Sequence, residues 1–99
     1  MADNFAQLVK SQADIVRIVG EYIKLRKAGA NWTALCPFHK EKSGSFHLYA
    51  TQGNYYCFGC HEHGDVFSFV MKMDNISFPE AVRAVAVKTG IPLMISGSI

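Results

Sequence analysis

Apolar residues recur at Ile15, Ile18, Val19, Tyr22 and Ile23, steps of three and four that gather them on one face of a helix. Asp14 stands just before this run, where its carboxylate can accept from the open N–H groups of a first turn. A helix over about 14–23 is predicted. Phe5, Leu8 and Val9 form a shorter amphipathic turn or two over about 3–11, and the pair is expected to pack as a small helical lid. From Leu25 to Phe58 the period falls to two: Trp32 and Ala34 alternate with Thr33 and Leu35, Phe46 and Leu48 with His47 and Tyr49, and Tyr55 with Tyr56. Ala28-Gly29-Ala30-Asn31 and Thr51-Gln52-Gly53-Asn54 offer turns whose glycine or asparagine accepts positive φ. The middle of the chain is therefore predicted to be an antiparallel meander.

After Gly64 the helical spacing returns. Asp65 is placed to cap a run in which Val66, Phe69, Val70 and Met73 form a stripe widened by Phe67 and Met71. Ser77-Phe-Pro-Glu80 is a capping box with proline in the first turn, and Phe78, Val82 and Val85 are expected to face inward until Gly90 and Pro92 stop the helix. Helices flanking one meander define an α+β class. A single domain over 1–95 is expected, with the polar 96–99 ending as a tail or the start of a linker.

The 99 residues are 49% hydrophobic and 18% charged, a composition for one small domain, and a core of that size gains from a structural metal. The N-terminus shows no positive segment followed by an apolar one, and nowhere do 18 apolar residues run together, so a cytoplasmic protein with no membrane partner is expected. The formal net charge of +2 is unevenly spread: Lys24, Arg26, Lys27, Lys40 and Lys42 face Glu41 alone between Tyr22 and Gly44. Such a patch is either a solvated surface or a footprint for nucleic acid.

Three cysteines in a reducing compartment argue for thiolates that serve a metal or catalysis, not for a disulfide framework. Cys57-Phe-Gly-Cys60-His61 taken alone fits haem attachment, a redox dithiol or half of a zinc site. Cys36-Pro-Phe-His39, separated from it by 17 residues, decides among them. Haem would leave Cys36 and His39 without a purpose, and no parallel crossover frames a thioredoxin-like dithiol. Two knuckles instead place three thiolates and an imidazole at the corners of a tetrahedron, a closed set that zinc accepts in structural sites. Gly59 suits the tight turn of the second knuckle and Pro37 stiffens the first. With four ligands no coordination position is left for catalysis. His61 and His63 are then solvated or adjacent groups, either one a substitute ligand only if His39 is not one, and His47 is a surface residue.

The strings CPFHKEKSGSF, YYCFGCHEHGDVFSFVM and NISFPEAVRAVAVKTGI, with the earlier DIVRIVGEYIKLRKAGANWTALCPFH, resemble the N-terminal zinc-binding domain of bacterial DnaG-type DNA primases over nearly the whole chain. The resemblance implies a zinc ribbon on a small antiparallel sheet with flanking helices, holding one structural zinc through Cys36, His39, Cys57 and Cys60. It implies a module that helps a primase engage single-stranded template and begin primers in DNA replication. Polymerisation and its Mg²⁺ would belong to a separate catalytic domain, for which these residues offer no counterpart, so the chain is expected to be a domain of a nucleotidyltransferase without a catalytic site of its own. Template DNA, that catalytic domain in cis or trans, and a replicative helicase are the implied partners, and the bacterial nucleoid at the replication fork is the implied place. The family usually has Thr-Pro where this chain has Ser43-Gly44, glycine where it has His61, a basic residue where it has Ala30 and lysine where it has Gln52. His61 must therefore tolerate the backbone angle that glycine met there.

The expected nucleic-acid surface is the basic side, Lys24, Arg26, Lys27, Lys40 and Lys42, holding phosphates while Trp32 and Tyr55 stack on bases. Ordinary sheet packing is the other role open to both rings. A competing reading docks the same surface on the primase catalytic domain or helicase. A stand-alone enzyme lacks support, since no nucleophile, acid/base pair or acidic metal cluster is visible.

Overall fold

Strand register divides the middle of the chain into a covered face and an open one. The computed structural model describes residues 2–38, 40 and 44–91, so the expectations for His39, Lys42, Ser43, Pro92 and the 96–99 ending lie outside the described residues. Two helices, α1 (Ala2–Gln12) and α2 (Ile15–Gly20), precede five strands, β1 (Arg26–Ala28), β2 (Asn31–Ala34), β3 (Phe46–Tyr49), β4 (Asn54–Cys57) and β5 (His63–Asp65), which are followed by α3 (Val66–Asp74) and α4 (Phe78–Thr89). The strands pair in chain order, every neighbour antiparallel. The α+β class and the sheet with flanking helices are as expected from the sequence.

Directly paired residues share a face. Ala34, Phe46, Leu48, Tyr55 and Cys57 are buried against the helices. Trp32, paired with Leu48, is on the same side, partly buried, with Nζ of Lys27 5.6 Å from its ring centre. Phe38, Phe46, Tyr55 and Phe69 bring their rings together at centroid distances from 5.3 to 6.3 Å. This aromatic knot joins the sheet to α3. Val9, Ile15, Ile18, Val19, Val70 and Val85 complete the core from the helices.

The local signals place the helix starts. Asp14 accepts from the N–H groups of Val16 and Arg17, Asp65 from that of Ser68, and Ser77 with Glu80 closes the capping box. Each such cap contributes about 1 kcal/mol. Ends are less legible: α2 stops at Gly20, and Tyr22 and Ile23 follow as a turn whose N–H groups both return to the Val19 carbonyl. β5 is a strand the sequence reading missed, because three residues with glycine at the centre carry no alternation. Phe78 does not face inward as expected; it is 46% exposed and meets Phe67 edge-on. Among the described residues no helix is long and apolar enough to cross a membrane.

Candidate metal centre and nucleic-acid face

The register that builds the core also assembles the thiols. Ala34 pairs with Phe46, and Phe46 with Cys57, so β2 and β4 end at the same level of the sheet. Cys36 lies two residues beyond β2 and Cys57 closes β4, which brings both knuckles to one end. The sulfurs of Cys36, Cys57 and Cys60 all lie within 4.8 Å of one another, and those of Cys36 and Cys60 are 3.7 Å apart. Zinc–sulfur bonds of about 2.3 Å at a tetrahedral angle require sulfurs about 3.8 Å apart, so the spacing fits the ion. Each knuckle also turns a backbone N–H onto its leading sulfur, Phe38 onto Cys36 and Gly59 onto Cys57, both at 3.4 Å.

Burial pushes the Cys36 thiol up to about 12. At Cys57 burial also opposes ionisation, but the N–H groups of Cys60 and Gly59 outweigh it and the thiol falls below its ordinary value. Zinc, when bound, supplies the positive charge that keeps all three as thiolates. Among the described residues these cysteines are the one set of three or more His, Cys, Asp or Glu side chains placed to share a metal ion.

Lys24, Arg26 and Lys27 come together, as expected, along a groove of about 1150 Å³ between the entry into β1 and the exit from β2. Thr33, Leu35 and Pro37 complete its wall, so its basic side adjoins the first knuckle. Lys40 is exposed. The expectation for Tyr55 is corrected: it is 1% exposed, locked among Phe38, Phe46 and Phe69, and offers no face to a base. Trp32 is half-buried, packed against the core beside Lys27.

The rings that do reach solvent are one residue out of step. Arg26, Thr33, His47, Tyr56 and His63 pair in succession across all five strands on the open face. Five rings touch in series there. Tyr49 stacks with His47, His47 meets Phe58 at 4.9 Å, Phe58 meets Tyr56 at 4.8 Å, and Tyr56 stacks with His63 at 5.8 Å. Phe58 is 59% exposed. The alternation could have found this shelf once one ring of the Tyr55-Tyr56 pair was known to be inside.

Paired knuckles at one end of an antiparallel sheet, carrying a cluster of thiols at the spacing of a zinc site, define a zinc ribbon. The sequence profile of the CHC2 zinc finger of DnaG-type primases matches residues 1–98, and the chain belongs to that family. It is 47% identical over 89 residues to the DNA primase of Chlamydia muridarum, covering 90% of this chain and 15% of that protein. The DNA primase of Mycolicibacterium smegmatis is 44% identical over 91 residues, covering 91% of this chain and 14% of that protein. The crystal structure of the Aquifex aeolicus primase zinc-binding and RNA polymerase domains superposes with a TM-score of 0.85 at 32% identity, over 96% of this chain and 24% of that one. The chain thus spans about 15% of the length of the curated primases it matches.

Proposed function

We propose that this chain is the template-engaging module of a DNA primase. It holds one zinc through Cys36, His39, Cys57 and Cys60, and single-stranded DNA lies across its open face. Phosphates lie toward Lys24, Arg26 and Lys27, with Lys40 and Lys42 supplying further charge, while bases stack on the rings. The observation that carries this reading is that the open face of the sheet has Arg26 and Thr33, on the wall of the basic groove, at its β1–β2 side and a five-ring shelf across β3 to β5. Cations neutralise phosphates without regard to sequence, and aromatic rings accept any base. Primer synthesis with Mg²⁺ belongs in this reading to a catalytic domain such as the RNA polymerase domain named for the similar Aquifex structure. The cytoplasm, at the replication fork, is where such a module works.

A docking role for the same end of the sheet is favoured by one feature: Leu35 and Phe58, 54% and 59% exposed, are apolar side chains beside the two knuckles. The catalytic domain or a replicative helicase would be the partner. A salt titration of a fluorescent oligothymidylate separates the readings. Three or four phosphate contacts give a log–log slope of about −2 to −3, and the Arg26→Ala, Lys27→Ala double variant should flatten it by one to two units. An unchanged slope with zinc content intact would sink the DNA reading in favour of docking.

A further inference from the structure

We propose that the outer end of the ring shelf is a seat for one unstacked purine base of the template; the inference rests on the reading of this face as a single-strand surface. A concavity of about 600 Å³ opens there, lined by Tyr49, Gln52, Asn54, Tyr56, Phe58 and His63. Its chemistry differs from that of the basic groove. Lys10, which also reaches this concavity, is met by the Asp65 carboxylate at 3.2 Å, so the local charge is already balanced. A phosphate gains little in such a place, whereas a neutral flat ring gains contact with four aromatic side chains.

The platform is held before any ligand arrives. The Tyr56 ring lies nearly parallel to that of His63, at 19°, and against Phe58. Its hydroxyl hydrogen-bonds with Nδ1 of His61 at 2.9 Å, and Nδ1 of His63 is tied to the His61 carbonyl at 3.1 Å. A ring fixed this way loses little freedom on binding, which favours stacking of a base that arrives. Two fused rings cover more of this floor than one, so a purine is preferred. The exposed amides of Gln52 and Asn54 stand at the rim, each with an acceptor oxygen and an NH₂ donor, the pattern that reads the edge of a splayed base. The seat therefore sets sequence preference, and the groove sets affinity.

The test uses the zinc-loaded 99-residue chain and short oligothymidylates in which one central position is thymine, adenine, 2-aminopurine or abasic. Adenine should bind about tenfold more tightly than the abasic strand, and 2-aminopurine fluorescence should be quenched on binding. Tyr56→Phe should retain both effects, Tyr56→Ala should remove both, and Asn54→Ala should narrow the difference between adenine and thymine. Arg26→Ala should weaken every strand alike while leaving their ratios unchanged. Equal binding of the adenine and abasic strands by the unaltered chain overturns the seat, whatever Tyr56→Ala does to folding. If the salt slope survives that result, the seat falls alone; if no strand binds, the template reading falls with it.

Discussion

The Tyr56 hydroxyl lies 2.9 Å from Nδ1 of His61, and His61 itself stands at φ 67°, in the left-handed region. A residue with a Cβ thus holds a left-handed backbone angle and uses its side chain to hold a ring of the open face. Left-handed backbone costs a residue with a Cβ about 1 kcal/mol or more, and more again when that carbon is branched. His61→Val should lower stability by about 1–2 kcal/mol, while His61→Gly should be no less stable than the unaltered chain. Thermal melting of the zinc-loaded variants checks this; equal losses in both would show that the imidazole contact outweighs the backbone.

Gly64 is a second position where the backbone dictates the residue. It stands at φ 156°, opposite Tyr55, and a Cβ there would lie 2.6 Å from Cβ of Ser68 and 3.3 Å from the Tyr55 hydroxyl. Ser68 is itself bonded to the α3 cap, so it cannot step aside freely. Gly64→Ala should cost about 2 kcal/mol or more, a loss of roughly 8 °C or more in Tm for a domain of this size.

Zinc should be present at one ion per chain, and its removal should unfold at least the sheet, because the ion joins the two knuckles through three thiols drawn into the end of the sheet. The ion contributes on the order of 10 kcal/mol to such ribbons. Cys57→Ser and Cys60→Ser should each purify with little zinc and lose the circular dichroism of the meander. Full zinc content in either variant would remove that cysteine from the ligand set.

Asp65 carries a pH signature. Burial works against its charge, yet the Ser68 N–H and the Lys10 ammonium prevail and hold the carboxyl below its ordinary value. A depressed folded pKa gives stability that is present above the unfolded value of about 3.9 and is lost as pH falls through the folded one. Zinc ligands also protonate in acid, so the informative quantity is the difference between the chain and Asp65→Asn. That difference should be about 1 kcal/mol near neutrality and should vanish in strong acid. A difference constant with pH would show that the carboxylate charge plays no part in the cap.

The local sequence by itself determined the helix starts, since Asp14, Asp65 and the Ser77–Glu80 box act on backbone groups within three residues of themselves. It also determined the period-two stretches and the knuckle spacing, because turns, alternation and C-x-x-C geometry are short-range. Tertiary structure alone decided which half of each alternation faces water. Tyr55 and Tyr56 are chemically alike and adjacent, and only the packing of Phe38 and Phe69 on one side of the sheet sends the first inward and leaves the second on the open shelf. The same holds for the groove, where Lys24, Arg26 and Lys27 meet Thr33 and Leu35 because a hairpin register folds one strand back on the other. A one-residue slip would exchange the two faces of every strand, so this choice is set by the summed burial of the whole core and is not encoded at any single position.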